Sequence, residues 1–428
     1  MGTMLSLFGA VLGLVLINVP IAVSLGIVAT LAMVATHGVS SLPNMPVVIY
    51  NGATNFPLLA IPLFILAGAI MNASGISSRL IAFASALFGW VRGGLAHVSI
   101  GASLFFAEIS GSAVADVAAL GSLMIPGMKA KGYPAPYAAA AMSSAATLAV
   151  IIPPSIPMIL YAVMAESSVV QLFVAGIVPG LIGGAGLMGM ASFLARRYNL
   201  PREDRFSWQR VRKTAREALW AFLMPVIILG GIFGGMVTAT EGAALAVLAA
   251  LFVGLFIYRE LDMKHLRAAV MEGGVQTAVV MLLVATSALL GTYLTEVQAP
   301  QALARAVSEF TRNKWVILML LNVLFLFLGM FLHSAAAIIL VVPIVMPLVR
   351  AAGIDPVHFG LIVTINLGIG QQTPPVASVL MVACSIAKSS VWEVTRVNIW
   401  FIAVLVTVLL LVTYVPVTGL GLVDLFYK

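Results

Sequence analysis

Long apolar runs, each closed by a short polar or Gly/Pro-bearing stretch, fill nearly the whole chain. Segments near 4–18, 20–36 and 57–74 are hydrophobic all round, and so are those near 217–236, 241–258 and 273–294. A helix needs ~20 apolar residues to cross a bilayer, so these are predicted spans. Residues 76–91 and 300–312 instead mix apolar and polar positions, which predicts amphipathic helices at an interface. After each amphipathic stretch the pattern predicts a re-entrant pair of helices, a broken helix and a final span. At ~20 residues per crossing, the chain should hold about ten spans plus two hairpins.

The breaks recur. Residues 126–154 read PGMKAKGYPAPYAAAAMSSAATLAVIIPP, and residues 347–375 read PLVRAAGIDPVHFGLIVTINLGIGQQTPP. A shift of 221 positions lays Pro126 on Pro347, Gly132 on Gly353 and Pro153-Pro154 on Pro374-Pro375. A proline ring removes an N–H and clashes with the preceding turn, so a proline pair inside an apolar run breaks the helix. Two broken membrane helices in matching halves point to the binding site of a secondary transporter.

Of the 428 residues, 62% are hydrophobic and 9% charged, and the mean hydropathy is +1.12. A water-soluble domain could not hide that much apolar surface. The first run carries no cleavage site and continues into the next, so it reads as a membrane helix and not a signal peptide. Cys384 is the only cysteine, which excludes an intrachain disulfide and argues against a thiolate metal site.

The net charge of +7 reads as topology. Eight of the 22 basic residues lie between 196 and 216, and the positive-inside tendency puts that loop in the cytoplasm. Threading the spans outward leaves 17 basic residues inside and five outside (Arg305, Arg312, Lys314, Arg350 and Lys428), with both termini outside. The shortness of the basic loop and the spans that flank it argue against a nucleic-acid partner.

The expected fold is an all-α polytopic membrane protein of two inverted repeats, each with scaffold helices, a re-entrant helical hairpin and a Pro-broken helix. The first repeat covers 1–195, with a hairpin at about 92–128 and a broken helix at about 134–165. A cytoplasmic linker covers 196–216. The second repeat covers 217–428, with a hairpin at about 315–350 and a broken helix at about 355–388.

Candidate chemistry gathers at the hairpin tips and the breaks. Ser110, Gly111 and Ser112 offer hydroxyls, freed carbonyls and helix ends, a set suited to a hard cation such as sodium. The alternative is a small-residue helix contact. Asn366, Gly368, Gly370, Gln371, Gln372 and Thr373 precede the second proline pair, and amides are costly in lipid unless partnered. The first half has Ser143, Ser144 and Thr147 there, which could simply bond their own backbone. Asp116 could cap its helix or meet a cation, while Glu108 and Glu166 are functional only if truly buried. Glu241 follows Thr238 at capping-box spacing. His333, at the second tip, could meet an anionic substrate or satisfy its own turn. No HExxH, nucleophile–base pair or phosphate loop supports an enzyme.

Five segments in order carry a resemblance: FPLLAIPLFILAG (56–68), SGSAVADVAALGSLMIPGMKAKGY (110–133), IIPPSIPM (151–158), GGMVTATEGAA (234–244) and NLGIGQQTPPV (366–376). Over essentially its whole length the chain resembles the large membrane subunit of tripartite ATP-independent periplasmic (TRAP) transporters, the DctM-like family. The resemblance implies sodium-driven uptake of small organic anions, usually carboxylates, across the bacterial inner membrane by an elevator-like motion. It implies two partners, a small membrane subunit and a periplasmic substrate-binding protein, and no cofactor beyond the coupling ion.

Carried over by position, a first sodium site would use Ser110, Gly111, Ser112 and backbone from Ala149 to Pro153. A second would use His333, Ser334, Asn366, Gly368, Gly370 and Thr373. Ser112, His333, Gln371 and Gln372 would meet substrate. The chain departs from the family pattern at Ala149-Val150, where Gly-Pro is usual, and at His333, where an acid is usual. It also departs at the Gln371-Gln372 pair, often apolar, and at Ala239, usually proline. The competing reading is a stand-alone sodium/carboxylate symporter of similar architecture that needs no binding protein.

Overall fold

A computed structural model describes residues 2–17, 19–202 and 205–427; the side chains of 2–5, 16 and 107–110 lie outside the description. The first half runs through α1 (Gly2–Leu16), α2 (Ile21–His37), α3 (Met45–Ala53), α4 (Ala60–Ala73), α5 (Ile76–Phe88) and α6 (Gly94–Ser110). It continues with α7 (Ala113–Ala130), α8 (Ala135–Ala146), the one-turn α9 (Leu148–Ile151), α10 (Ile156–Ala165) and α11 (Val169–Arg197). The second half opens with α12 (Trp208–Glu217), α13 (Leu219–Phe233), α14 (Ala239–Phe252), α15 (Met263–Glu296) and α16 (Ala299–Phe310). Then come α17 (Lys314–Phe331), α18 (Ser334–Ala351), α19 (Pro356–Gly370), α20 (Ser378–Ala387), α21 (Val391–Tyr414) and α22 (Val417–Tyr427). Among the described residues nine helical segments are long and apolar enough to cross a membrane, or ten if the pair α12–α13, bent by 61°, is one span.

Large apolar side chains such as Leu248, Leu282 and Met319 stand exposed on these segments. In water that surface would be a liability; against lipid it is the expected outer face. Between helices the small residues do the packing. A Cβ on Gly52 would fall 2.3 Å from Ala288 Cβ, and one on Gly26 3.3 Å from Thr286 Cγ2, so α3 and α2 lie close along α15.

Several boundaries differ from the sequence expectation, each for a local reason. α15 begins ten residues before its apolar run because Asp262 caps it, Oδ1 accepting from His265 N–H at 2.7 Å. The basic linker contains the amphipathic helix α12, capped by Ser207, and α22 follows Pro416. The spacing of Thr238 and Glu241 does form a capping box, with the Thr238 N–H donating to Glu241 at 2.8 Å. Where α5 begins and the turn after α14 ends, Arg79 donates to Glu260 at 2.6 Å and stacks 3.8 Å over the Tyr258 ring.

Both halves contain the same sequence of irregularities. α6 and α7 are interrupted at Gly111-Ser112, and α17 and α18 at Leu332-His333. Pro153-Pro154 and Pro374-Pro375 are both cis and both interrupt a helix, α8–α10 in one half and α19–α20 in the other.

Candidate functional site

The first tip is built by a left-handed glycine followed by an N-cap. Gly111 sits at φ +56, and Ser112 accepts from the Ala115 N–H at 3.5 Å to open α7. A Cβ at Gly111 would lie 3.0 Å from Ile156 N and 3.2 Å from Pro154 O. The tip therefore touches the far side of its own half's break, where α10 begins. Ser155 steadies that start by donating from Oγ to Val150 O at 2.9 Å. Ala149 and Pro153 are buried behind it, and the side chains of Ser110 and Glu108 lie outside the described residues.

At the second tip, 221 positions later, His333 takes the place of Ser112. Its Nδ1 accepts from the Ala335 N–H at 3.4 Å and caps α18. An acceptor Nδ1 puts the proton of the neutral imidazole on Nε2, which leaves that nitrogen as a donor. The base of this tip is held to its own break: the N–H groups of Val376 and Ala377 donate to Met330 O at 3.2 and 3.3 Å. Gly370 makes the approach possible, since a Cβ there would fall 2.5 Å from Gly329 Cα.

The tips converge on one cavity of about 560 Å³. Gly111 to Ala115 and His333 to Ala336 form one wall, with Val150, Ile156 and Pro157; Ile21, Ile65 and the α15 face from Val275 to Leu283 form the other. No Lys or Arg is among its lining residues. The N–H groups that begin α7 and α18 supply the positive potential there instead. A smaller chamber of about 270 Å³ adjoins it, lined by Asn72, Asp116, Glu272 and Gln276 among others. Asn72 lies at the end of α4 and Glu272 in the early turns of α15, so this chamber is on the side of the basic loop.

The remaining candidates do not line the cavity; they form buried networks. Gln372, fully buried, donates to Thr147 Oγ1, and its Oε1 lies 2.8 Å from Ser144 Oγ. Ser144 Oγ is also 2.8 Å from Asn398 Oδ1, and its single proton serves one acceptor at a time. Gly368 presses on the same place, its would-be Cβ 2.8 Å from Thr147 Cγ2. Ser143, and Thr147 with its own proton, bond their own helix at 3.1 and 3.2 Å. Asn366 donates from Nδ2 to Asn322 Oδ1 at 2.6 Å and to Ile362 O at 2.9 Å. Those two acceptors fix its amide, and Asn366 Oδ1 is buried with no donor. An orphaned buried oxygen of this kind suits a cation ligand. Thr373 donates to Ile369 O at 3.0 Å, and Gln371 is buried.

Of the acids, Asp116 is fully buried in the first turn of α7, whereas Glu166 is largely exposed. Asn322 and Asn398 were not among the residues predicted from sequence. A lone amide within an apolar run, as in LLNVLF or VNIWFIA, was the available signal, because such a group needs a partner inside the membrane.

An all-helical membrane protein whose two interrupted hairpins line one shared cavity has the build of a transport protein. The chain belongs to the family described as "Tripartite ATP-independent periplasmic transporter, DctM component", whose model matches residues 8–418. As a large permease component it is an inner-membrane protein of a binding-protein-dependent secondary transporter. The C4-dicarboxylate TRAP transporter large permease protein DctM of Pseudomonas aeruginosa is 39% identical, over 89% of this chain and 90% of its own length. The sialic acid TRAP transporter large permease protein SiaM of Vibrio cholerae is 37% identical over 98% of both. The isethionate permease protein DctMQ of Oleidesulfovibrio alaskensis is 40% identical over 96% of this chain, which spans 65% of that longer protein. Among solved structures, the Alcanivorax borkumensis YdaH transporter shares the fold, with a TM-score of 0.64, 14% identity and 90% of each chain covered.

Proposed function

We propose that this chain imports a small organic anion, coupled to sodium, together with a small membrane subunit and a periplasmic binding protein. The observation that carries the reading is the single cavity shared by both tips, apolar but for the hydroxyls of Ser112 and Ser334, His333, Gln276 and two helix N-termini. An anion in such a place is stable only if its charge is balanced. Helix N-termini balance part of it, and sodium bound at the tips would balance the rest, so anion and cation favour each other's binding. The relatives' printed substrates, a C4-dicarboxylate, sialic acid and isethionate, are all organic anions.

Within this reading Ser112 and the His333 Nε2–H face the substrate, and Gln371 and Gln372 act by shaping the second break. The sodium sites draw on Gly111 and Ser112 in one half and on Ser334 and Asn366 in the other. The two halves insert in opposite senses, and the hairpins and broken helices slide as an elevator against α2, α4 and α15.

The test is uptake into proteoliposomes of the chain reconstituted with its two partners under a sodium gradient. Sodium-dependent uptake that is lost in Ser112→Ala and Asn366→Ala is expected. Uptake by the chain alone, with neither partner, would instead favour the stand-alone symporter.

A further inference from the structure

Tip and break are joined within each half, but at the membrane faces the joins run across halves. Lys129, in the last turn of α7, donates from Nζ to Ala387 O, the final residue of α20, at 2.7 Å. Arg350, in the last turn of α18, donates from Nη2 to Ala165 O, the final residue of α10, at 3.0 Å. It also lies 3.5 Å from Glu166 Oε2. The shift of 221 positions lays Lys129 on Arg350. Both receiving helices end on a non-glycine residue in the left-handed region, Glu166 at φ 53 and Lys388 at φ 53. The donors coincide at that shift, and the acceptors and caps, one residue further apart, hold the same places at the ends of their helices, so the exchange belongs to the repeat and not to one chance contact.

The last carbonyls of a helix lack intrahelical partners and carry partial negative charge, so a cation placed on them holds the helix end. The consequence follows from what each helix carries at its other end. α7 begins at the first tip, while α20 begins just past the second break; α18 begins at the second tip, while α10 begins just past the first break. Each basic clasp therefore ties a tip of one half to the far side of the other half's break.

We propose that Lys129 and Arg350 are positioning residues that couple the two tip-and-break sites, so that a sodium ion bound at one presets the geometry of the other. Neither residue lines the cavity. The inference rests on the sodium-coupled reading above and adds to it the groups that transmit the coupling.

The experiment is a sodium titration of substrate uptake by the full three-component transporter in proteoliposomes. Wild type should give a Hill coefficient above one. Lys129→Gln with Arg350→Gln should bring the coefficient toward one and raise half-saturating sodium about threefold to tenfold, with uptake at saturating sodium largely kept. Lys129→Arg with Arg350→Lys, which keeps both charges, should restore the wild-type curve. If the double Gln variant does not accumulate as folded protein, each single variant carries the test, with a smaller shift in the same direction. A Gln variant with the wild-type coefficient and half-saturation overturns the proposal, and so does one that loses only maximal uptake, the mark of a merely structural role. A wild-type coefficient of one also overturns it. Wild-type uptake indifferent to sodium defeats the sodium-coupled reading itself, a result seen without any variant.

Discussion

Replacing Gln372 by leucine separates a side chain that holds the break from one that meets the cargo. The amide is fully buried and joins three helices, through Thr147 and Ser144 on the first broken helix and Asn398 on α21. Leucine deletes both ends of that amide. The Ser144 hydroxyl keeps Asn398 Oδ1 at 2.8 Å and Thr147 keeps Ser143 O at 3.2 Å, so neither proton is stranded. Asn398 Nδ2 loses Gln372 Oε1 and retains only the Gln372 backbone carbonyl at 3.4 Å. One weakened donor places the cost at the low end for unsatisfied polar groups, about 1–2 kcal/mol. Interhelical bonds within membranes average ~0.6 kcal/mol, which sets the lower limit. Thermal unfolding in detergent, without substrate, should show a Tm lowered by a few degrees, with uptake at saturating substrate retained. The loss should be non-additive with Asn398→Ala, since the two share partners. An unchanged Tm with an altered substrate preference would refute this assignment and put Gln372 at the cargo.

Three further outcomes are expected. Gly370→Ala drives its Cβ to 2.5 Å from Gly329 Cα, a backbone atom that cannot turn aside. α17 and α19 must then separate at a cost of about 1–3 kcal/mol, read as a lower Tm, whereas Gly274→Ala, with nothing within 4 Å, should be neutral. Gly111→Ala strains a left-handed position by about 1–2 kcal/mol and presses on Pro154 O, so half-saturating sodium should rise. At the start of α5 the Arg79 guanidinium holds the Glu260 carboxyl below its ordinary range. A depressed carboxyl stabilises the fold above its unfolded pKa and loses that effect as pH falls through the folded value. Glu260→Gln should therefore cost well under about 1 kcal/mol at pH 7, because the pair is partly exposed, and nothing once the pH is well below the folded value. Melts at the two pH values check this.

Legibility followed the range of the physics. The breaks were readable because a proline pair acts on its own helix, and the structure interrupts both at those residues. The tips were readable because small and polar residues interrupt an apolar run. The polar surplus of the second half was also visible, but its destination was not. Sequence reasoning aimed Gln372 at substrate; the structure turns it back onto Ser144 and Thr147, so the second half completes the polar packing of the first half's break. Asn398 passed unnoticed for the same reason, as its partners lie in helices far away in sequence.

By itself the sequence determined that the chain lives in a membrane, where its helices stop, and which residue types stand at the interruptions. Those are properties of single segments in lipid, set by transfer free energy and by proline geometry. Only the tertiary structure decided which tip meets which break, that both tips open on one cavity, and that Lys129 and Arg350 reach across the halves. A polar side chain on a buried helix must find a partner, yet several faces could supply one. Packing chooses among them, and packing sums contacts over the whole fold.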